Sequence, residues 1–206
     1  MNIDIRMAVC GVYRENAYAV GVAGRDDCVL IDPGDDLDAV SALIGDRVPG
    51  AILITHGHFD HTLAAAPLAA RFGAPVYVHA LDREMLTDSL LNAYDPDAAS
   101  LPALPRELEA REFGETLSVC GMDFQILHTP GHSRGSVCLY LPEAGLLFSG
   151  DTLFEAGFGR LDLYGGDVNQ MRDSLRRLFA LPGGVKVYPG HGDATTIARE
   201  ALRYRL

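Results

Sequence analysis

The chain's chemistry concentrates in Thr-His-Gly-His-Phe-Asp-His at positions 55–61, where His56, His58, Asp60 and His61 set three imidazoles and a carboxylate within six residues. Neither packing nor solubility requires such a density, and histidine is otherwise scarce, with seven in 206 residues. Imidazole nitrogen and carboxylate oxygen suit zinc, iron or manganese, so the cluster reads as a metal site. Three further ligand-type residues lie downstream: His132 in Thr-Pro-Gly-His-Ser, Asp151 in Phe-Ser-Gly-Asp-Thr and His191 in Tyr-Pro-Gly-His-Gly. Each follows a short apolar run and is immediately preceded by glycine, which permits a sharp turn. A lone histidine after a turn is more often a surface residue; three ligand-type residues in one context, beside the cluster, make a joint case. His79 and His128 lack that context and are expected to be structural.

The elements that must position these residues are legible in the hydrophobic pattern. Strands are predicted at 17–22, 28–32, 51–55, 75–79, 123–128, 136–141, 145–149 and 185–189, each bounded by Gly, Pro or Asp. The cluster begins where strand 51–55 ends. In extended backbone, residues 56, 58 and 60 point to one side. With a helix starting at 61–62, two histidines reach one ion while Asp60 and His61 reach another, and Gly57 lets the turn tighten. Helical periodicity marks 36–44 and 62–72, with Gly45 and Gly73 at C-cap positions. Asp167 and Gln170 resemble a capping box that opens a helix stopped at Pro182-Gly183. Residues 88–106, with Pro96, Pro102 and Pro105, read as a surface loop or lid. Alternating strands and helices predict a layered α/β domain occupying 1–206.

With these residues in view, the chain resembles the metallo-β-lactamase-fold hydrolases along nearly its whole length. Asp32 in Ile-Asp-Pro-Gly matches the first motif, His56-Gly-His58-Phe-Asp60-His61 the second, and His132, Asp151 and His191 the third to fifth. The resemblance implies a four-layer αββα sandwich with a dinuclear metal site at one edge. It implies that His56, His58 and His132 hold one divalent ion and that Asp60, His61 and His191 hold the second. Asp151 would bridge both, and Asp32 would brace the loop. Zinc is the expected metal, with iron and manganese as alternatives.

Paired open-sided ions suit hydrolysis, because bound water loses its proton near neutral pH and the ions also stabilise the developing oxyanion. The hydroxide between them would attack a carbonyl, with Asp60 as the catalytic carboxylate that orients it or takes its proton. No strong general acid is evident for the leaving group, and a thiol, ionising near pH 8.5, needs little help. A small-molecule thioester is therefore the expected substrate. The segments Ser149-Gly150-Asp151-Thr152-Leu153-Phe154, Gly159-Arg160-Leu161-Asp162 and Gly165-Gly166-Asp167 look like glyoxalase II and its short bacterial relatives. That resemblance makes Arg160 a substrate-binding candidate, alongside Tyr164 and loop 88–106; Arg160 paired to a surface carboxylate is the other reading. Glyoxalase II continues into a C-terminal helical region, whereas this sequence stops at Leu206, so the resemblance does not carry glutathione specificity with it, and another thiol such as mycothiol or bacillithiol stays open. A persulfide dioxygenase holding one iron through His56, His132 and Asp151 is the rival enzyme, and a metal-binding protein without turnover is the non-enzymatic alternative. A β-lactamase is not expected, since Asp151 is not Cys and no leader is evident.

Composition narrows the partners. A formal net charge of −11 argues against nucleic acid. No apolar stretch is long enough to span a bilayer, which together with the missing leader makes the cytoplasm the expected location. Cys10, Cys28, Cys120 and Cys138 form no Cys-x-x-Cys pair and are expected as reduced thiols. Lys186 is the only lysine, a bias that suggests a high-GC genome.

Overall fold

A computed structural model describes residues 1–95, 97 and 101–204. The N-terminal half builds one six-stranded sheet from β1 (Ile3–Cys10), β2 (Glu15–Val22), β3 (Asp27–Ile31), β4 (Val48–Leu53), β5 (Val76–Val78) and β6 (Ala110–Glu112), in that order. Its first three strands run antiparallel, while β3 to β6 pair in parallel. Parallel neighbours need crossovers, and helices α1 (Leu37–Ile44) and α2 (Ala65–Phe72) supply the first two. The C-terminal half builds a second six-stranded sheet from β7 (Thr116–Val119), β8 (Met122–His128), β9 (Val137–Leu141), β10 (Leu146–Gly150), β11 (Lys186–Pro189) and β12 (Thr195–Thr196). There only β10 and β11 are parallel, joined through α3 (Val168–Phe179); α4 (Ile197–Arg203) follows β12.

Side-chain alternation explains the layering. In β2 the odd residues Ala17 and Ala19 face α1 and α2, while Tyr18 and Val20 face the second sheet. β4 and its extension divide likewise: Ile52 and Ile54 pack toward the helices, and Ala51 and Leu53 pack inward. In β9, Val137, Leu139 and Leu141 meet the first sheet, whereas Cys138 and Tyr140 meet α3 and α4. Strands buried on both faces read as continuous apolar runs. Three cores thus separate four layers, αββα, as the fold expectation requires.

Local chemistry sets the helix boundaries. Asp36 caps α1 by accepting from the Ala39 N–H at 2.9 Å. Asp167 caps α3, its Oδ1 accepting from Asn169 and Gln170 N–H at 2.8 and 2.9 Å. The reciprocal half of a capping box is not formed: the Asp167 N–H donates to Gly131 O at 2.8 Å and so pins the loop carrying His132. The helix expected from 61–62 starts at Ala65 instead, because Phe59–His61 forms a 3₁₀ turn that aims Asp60 and His61. Of the proposed lid 88–106, residues 96 and 98–100 lie outside the described residues. No helix among the described residues is long and apolar enough to cross a membrane.

Candidate metal centre

The ligand-type residues gather where strands of both sheets end. Asp32 follows β3, His56 follows β4 by way of Ile54 and Thr55, Asp151 follows β10, and His191 lies just beyond β11. These are the carboxyl ends of parallel strands, the edge at which open α/β sheets present their sites. His132 sits in the loop between β8 and β9.

Two groups of three result. Ligand atoms of His56, His58 and His132 all lie within 4.8 Å of one another, and so do those of Asp60, His61 and His191. Asp151 stands between the groups. One oxygen is 3.5 Å from His132 Nε2 and 3.7 Å from His191 Nε2, and the other is 3.5 Å from His61 Nε2. A third grouping, Asp32 with His56 and His61, is equally compact. There, however, the carboxylate is already occupied by hydrogen bonds, so it orients its neighbours rather than marking another site.

Those hydrogen bonds, with one from the Arg160 carbonyl, fix which nitrogen of His56, His61 and His132 faces inward. Asp32 accepts from the Thr55 N–H at 2.7 Å and from Thr55 Oγ1 at 2.6 Å. With its proton committed, the Thr55 hydroxyl accepts from His56 Nδ1 at 3.1 Å, leaving Nε2 as the inward lone pair. Asp32 Oδ2 also accepts from His61 Nδ1 at 3.1 Å, turning Nε2 toward Asp60, Asp151 and His191. The Arg160 carbonyl accepts from His132 Nδ1 at 2.7 Å and sends its Nε2 to within 2.8 Å of His58 Nδ1. Such outer partners set ring orientation and ligand basicity in metal sites. Asp32 itself adopts φ 46°, a left-handed conformation secured by its N–H to Leu53 O at 3.0 Å.

The electrostatics of the two groups differ. Burial, reinforced by the neighbouring imidazoles, pushes His56 well below the usual histidine range and His58 down to about 3, so both are neutral. Burial also opposes charge on His61, yet Asp60, Asp151 and Asp32 outweigh it and hold the imidazole up to about 10. In return, and against the effect of burial, His61 and His191 keep Asp60 well below the carboxylate range. The second group thus sets carboxylates against imidazoles that they draw toward the protonated form, positive charge that a divalent ion would replace. Buried His56 Nε2 and Asp151 Oδ1 find no hydrogen-bond partner, and buried polar atoms are rarely left so. A nitrogen- and oxygen-rich donor set with orphaned inward atoms fits divalent ions.

The family model of the metallo-beta-lactamase superfamily matches residues 10–191, spanning every one of these ligand-type positions. This chain belongs to that superfamily. Among its relatives, a hydroxyacylglutathione hydrolase of Haemophilus influenzae is 34% identical over 183 residues, covering 84% of each chain. Two crystal structures are also close in sequence and fold. A B3 metallo-beta-lactamase is 34% identical with a TM-score of 0.88, covering 96% of each chain. A protein solved in a di-iron-bound form is 43% identical with a TM-score of 0.83, covering 95% of this chain and 96% of its own.

Above the centre opens a cleft of about 430 Å³, with His58, Asp60, His132, Asp151 and His191 at its floor. Tyr13, Phe59, Phe154 and Leu163 form apolar walls, and Ala93 brings part of loop 88–106 to the rim. Tyr13 and Tyr94 both meet Phe59 edge to face, at centroid distances of 5.2 and 5.8 Å. Arg160 lies at the cleft, but its guanidinium is forked onto Asp162 by two bonds of 2.7 Å. Tyr164 is not among the lining residues; its ring packs 5.1 Å from the Arg134 guanidinium. His79 and His128 stack on each other at 4.2 Å, apart from the cluster.

Three positioning residues and one buried acid escaped the reading of the sequence. Glu15 is buried 3.8 Å from His61, and burial, together with Asp32 and Cys10, raises its carboxyl well above the usual range. Asn16 Nδ2 donates to Pro189 O at 3.0 Å and to Gly192 O at 2.8 Å, clasping the His191 loop from both sides. Thr55 relays Asp32 to His56, and Asp82 ties two ligand loops together. Thr55 adjoins the cluster, and Glu15-Asn16 is a polar pair opening an apolar strand. Asp82 carries no local signal.

Proposed function

We propose that this chain is a metal-dependent hydrolase that cleaves a thioester of a small thiol. The observation that carries the reading is the position of Asp151 between two three-residue groups on the floor of an open cleft. Closed four-ligand sites serve structure, whereas paired sites open to a cleft serve chemistry. His56, His58 and His132 would hold one ion, Asp60, His61 and His191 the other, and Asp151 both. Zinc is the first expectation, and the di-iron form of a relative keeps iron in view. Ions bound there supply Lewis acidity, bringing water ionisation into the neutral range and offsetting negative charge on an acyl oxygen.

The chain's own groups do the remaining work. As a ligand of the second ion Asp60 would be anionic, so its carboxylate would orient the attacking water rather than retain the proton. The apolar walls position the acyl and thiol arms and limit water around the reacting carbonyl. No Asp, Glu or Lys stands beyond the ligand cluster among the lining residues to serve as an acid for a poor leaving group. A thiolate leaves without one, which favours thioesters over amides and lactams. The name of the Haemophilus influenzae relative points the same way.

Metal analysis of purified protein, coupled to release of free thiol from S-lactoylglutathione and from thioesters of uncharged thiols, tests the proposal. Two ions per chain and thiol release are expected, with turnover lost in Asp60→Ala and His132→Ala variants that remain folded. A folded protein with a single iron that consumes oxygen with a persulfide, and cleaves no thioester, would replace this reading with the dioxygenase. Turnover of a chromogenic β-lactam alone would replace it with a lactamase.

A further inference from the structure

We propose that Asp82 is the positioning residue for the His56, His58 and His132 half of the centre; this rests on the reading of those residues as ligands. Asp82 lies on the 3₁₀ turn Ala80–Leu86 that follows β5, and its side chain is fully buried. Its Oδ2 accepts from the Gly57 N–H at 3.0 Å and from Ser133 Oγ at 2.5 Å. Its Oδ1 accepts from the Gly135 N–H at 2.6 Å. Gly57 is the peptide between His56 and His58, and Ser133 is the residue after His132. One carboxylate therefore grips the two loops whose imidazoles must converge, one loop from each sheet. The 2.8 Å approach of His58 Nδ1 to His132 Nε2 is the geometry that this grip maintains.

The turn that carries Asp82 is itself anchored. Its own N–H donates to His79 O at 3.0 Å. Met85 packs against Gly57 so closely that a Cβ there would lie 2.5 Å from Met85 Cβ. Gly57 is thus required by close approach, a reason distinct from the tight turn expected of it. Asn92 Nδ2 donates to Met85 O at 2.8 Å, and Asn92 O accepts from the Phe59 N–H at 3.2 Å, closing a ring of contacts back to the cluster. Removing the carboxylate strands three buried donors and frees both loops at once. His191 depends on a different clasp, that of Asn16, so the two halves of the centre are separable.

Metal-stripped protein titrated with Zn²⁺ against a chromophoric chelator reads each half independently of turnover. Two binding steps are expected for the wild-type chain. Asp82→Asn weakens one of them about 10- to 100-fold, the usual effect of losing an outer partner, and leaves the other within a factor of about two. Asn16→Ala weakens the other step. Ser133→Ala removes one of the three bonds and moves the Asp82-sensitive step in the same direction by a smaller factor, which keeps the test open should Asp82→Asn not fold. Steps that shift together, or two steps that are both indifferent to Asp82 and Ser133, would overturn the assignment. Should the wild-type chain bind a single Zn²⁺, the two-ion reading fails by itself. Asp82 is then supported if that one step weakens in Asp82→Asn and refuted if it does not.

Discussion

Replacing Gly190 by alanine isolates the spacing of the centre from its chemistry. Gly190 is not among the residues in the left-handed region, so alanine meets no backbone penalty there. The cost is space: an added Cβ would overlap Asp151 Oδ1, lie 2.7 Å from His61 Cε1 and sit 3.2 Å from Gly150 C. The backbone has little freedom to retreat, because the Gly190 N–H donates to Gly150 O at 2.9 Å and its carbonyl accepts from the Asn16 N–H at 2.7 Å. One surplus methyl in a packed interior costs about 1–3 kcal/mol. For a chain of this size each kcal/mol lowers Tm by about 2–4 °C, so a fall of roughly 2–12 °C is expected. Gly184→Ala is the control: nothing lies within 4 Å of its added Cβ, and its stability should stay within about 0.5 kcal/mol of wild type. Thermal unfolding of both variants, metal-stripped and zinc-loaded, gives the comparison. Because the displaced groups are Asp151 and His61, Gly190→Ala should also gain less Tm from added zinc than wild type does. A Gly190→Ala variant that melts with the wild type and gains as much from zinc would refute the packing argument.

Two further outcomes follow from the site's electrostatics. In metal-stripped protein His61 is held up to about 10, because Asp60, Asp151 and Asp32 overcome its burial. The unfolded chain releases that proton near pH 6.5, so the native state carries an extra proton between those values. Stability should therefore fall as pH rises from about 6.5 toward 10, with buried Glu15 acting in the same sense; bound zinc removes most of the slope. Melting curves at pH 6.5 and 9 that coincide, or a Tm that rises with pH, would contradict the charge assignment. At the cleft rim, Asp162→Asn releases the Arg160 guanidinium from its carboxylate partner. KM for thioesters whose thiol arm bears carboxylates should fall while kcat and Tm hold; an unchanged KM would show that the pair does not tune recognition.

The central strands of both sheets were legible because burial on two faces leaves little room for polar residues, as in Val-Cys-Leu-Tyr-Leu of β9. β1 was not, since this edge strand buries little and mixes Asp4 and Arg6 with its apolar residues. α4 escaped as well: it is one short helix whose buried residues are Ile197 and Glu200. The ligand-type residues stood out by type and by the glycine before each, but their partners did not. Asp82 acts through one loop from each sheet, 25 and 51 residues away in the chain, and no local pattern encodes such a meeting. Pairing of Arg160 with Asp162 is likewise a matter of side-chain geometry that the motif Gly-Arg-Leu-Asp leaves open.

The centre draws His56, His58, Asp60 and His61 from the first sheet, and His132, Asp151 and His191 from the second. Each group of three therefore takes two members from one sheet and one from the other. A cation seated in either group is a cross-link between distant parts of the chain, comparable in effect to a disulfide closing a long loop. Directly beneath, Tyr18 of the first sheet donates its hydroxyl to Pro189 O of the second at 2.6 Å and meets Phe148 edge to face. Ions seated there would add to a junction that the two sheets already make through such contacts. Losing the ions should therefore shorten the lifetime of the folded chain without by itself parting the sheets.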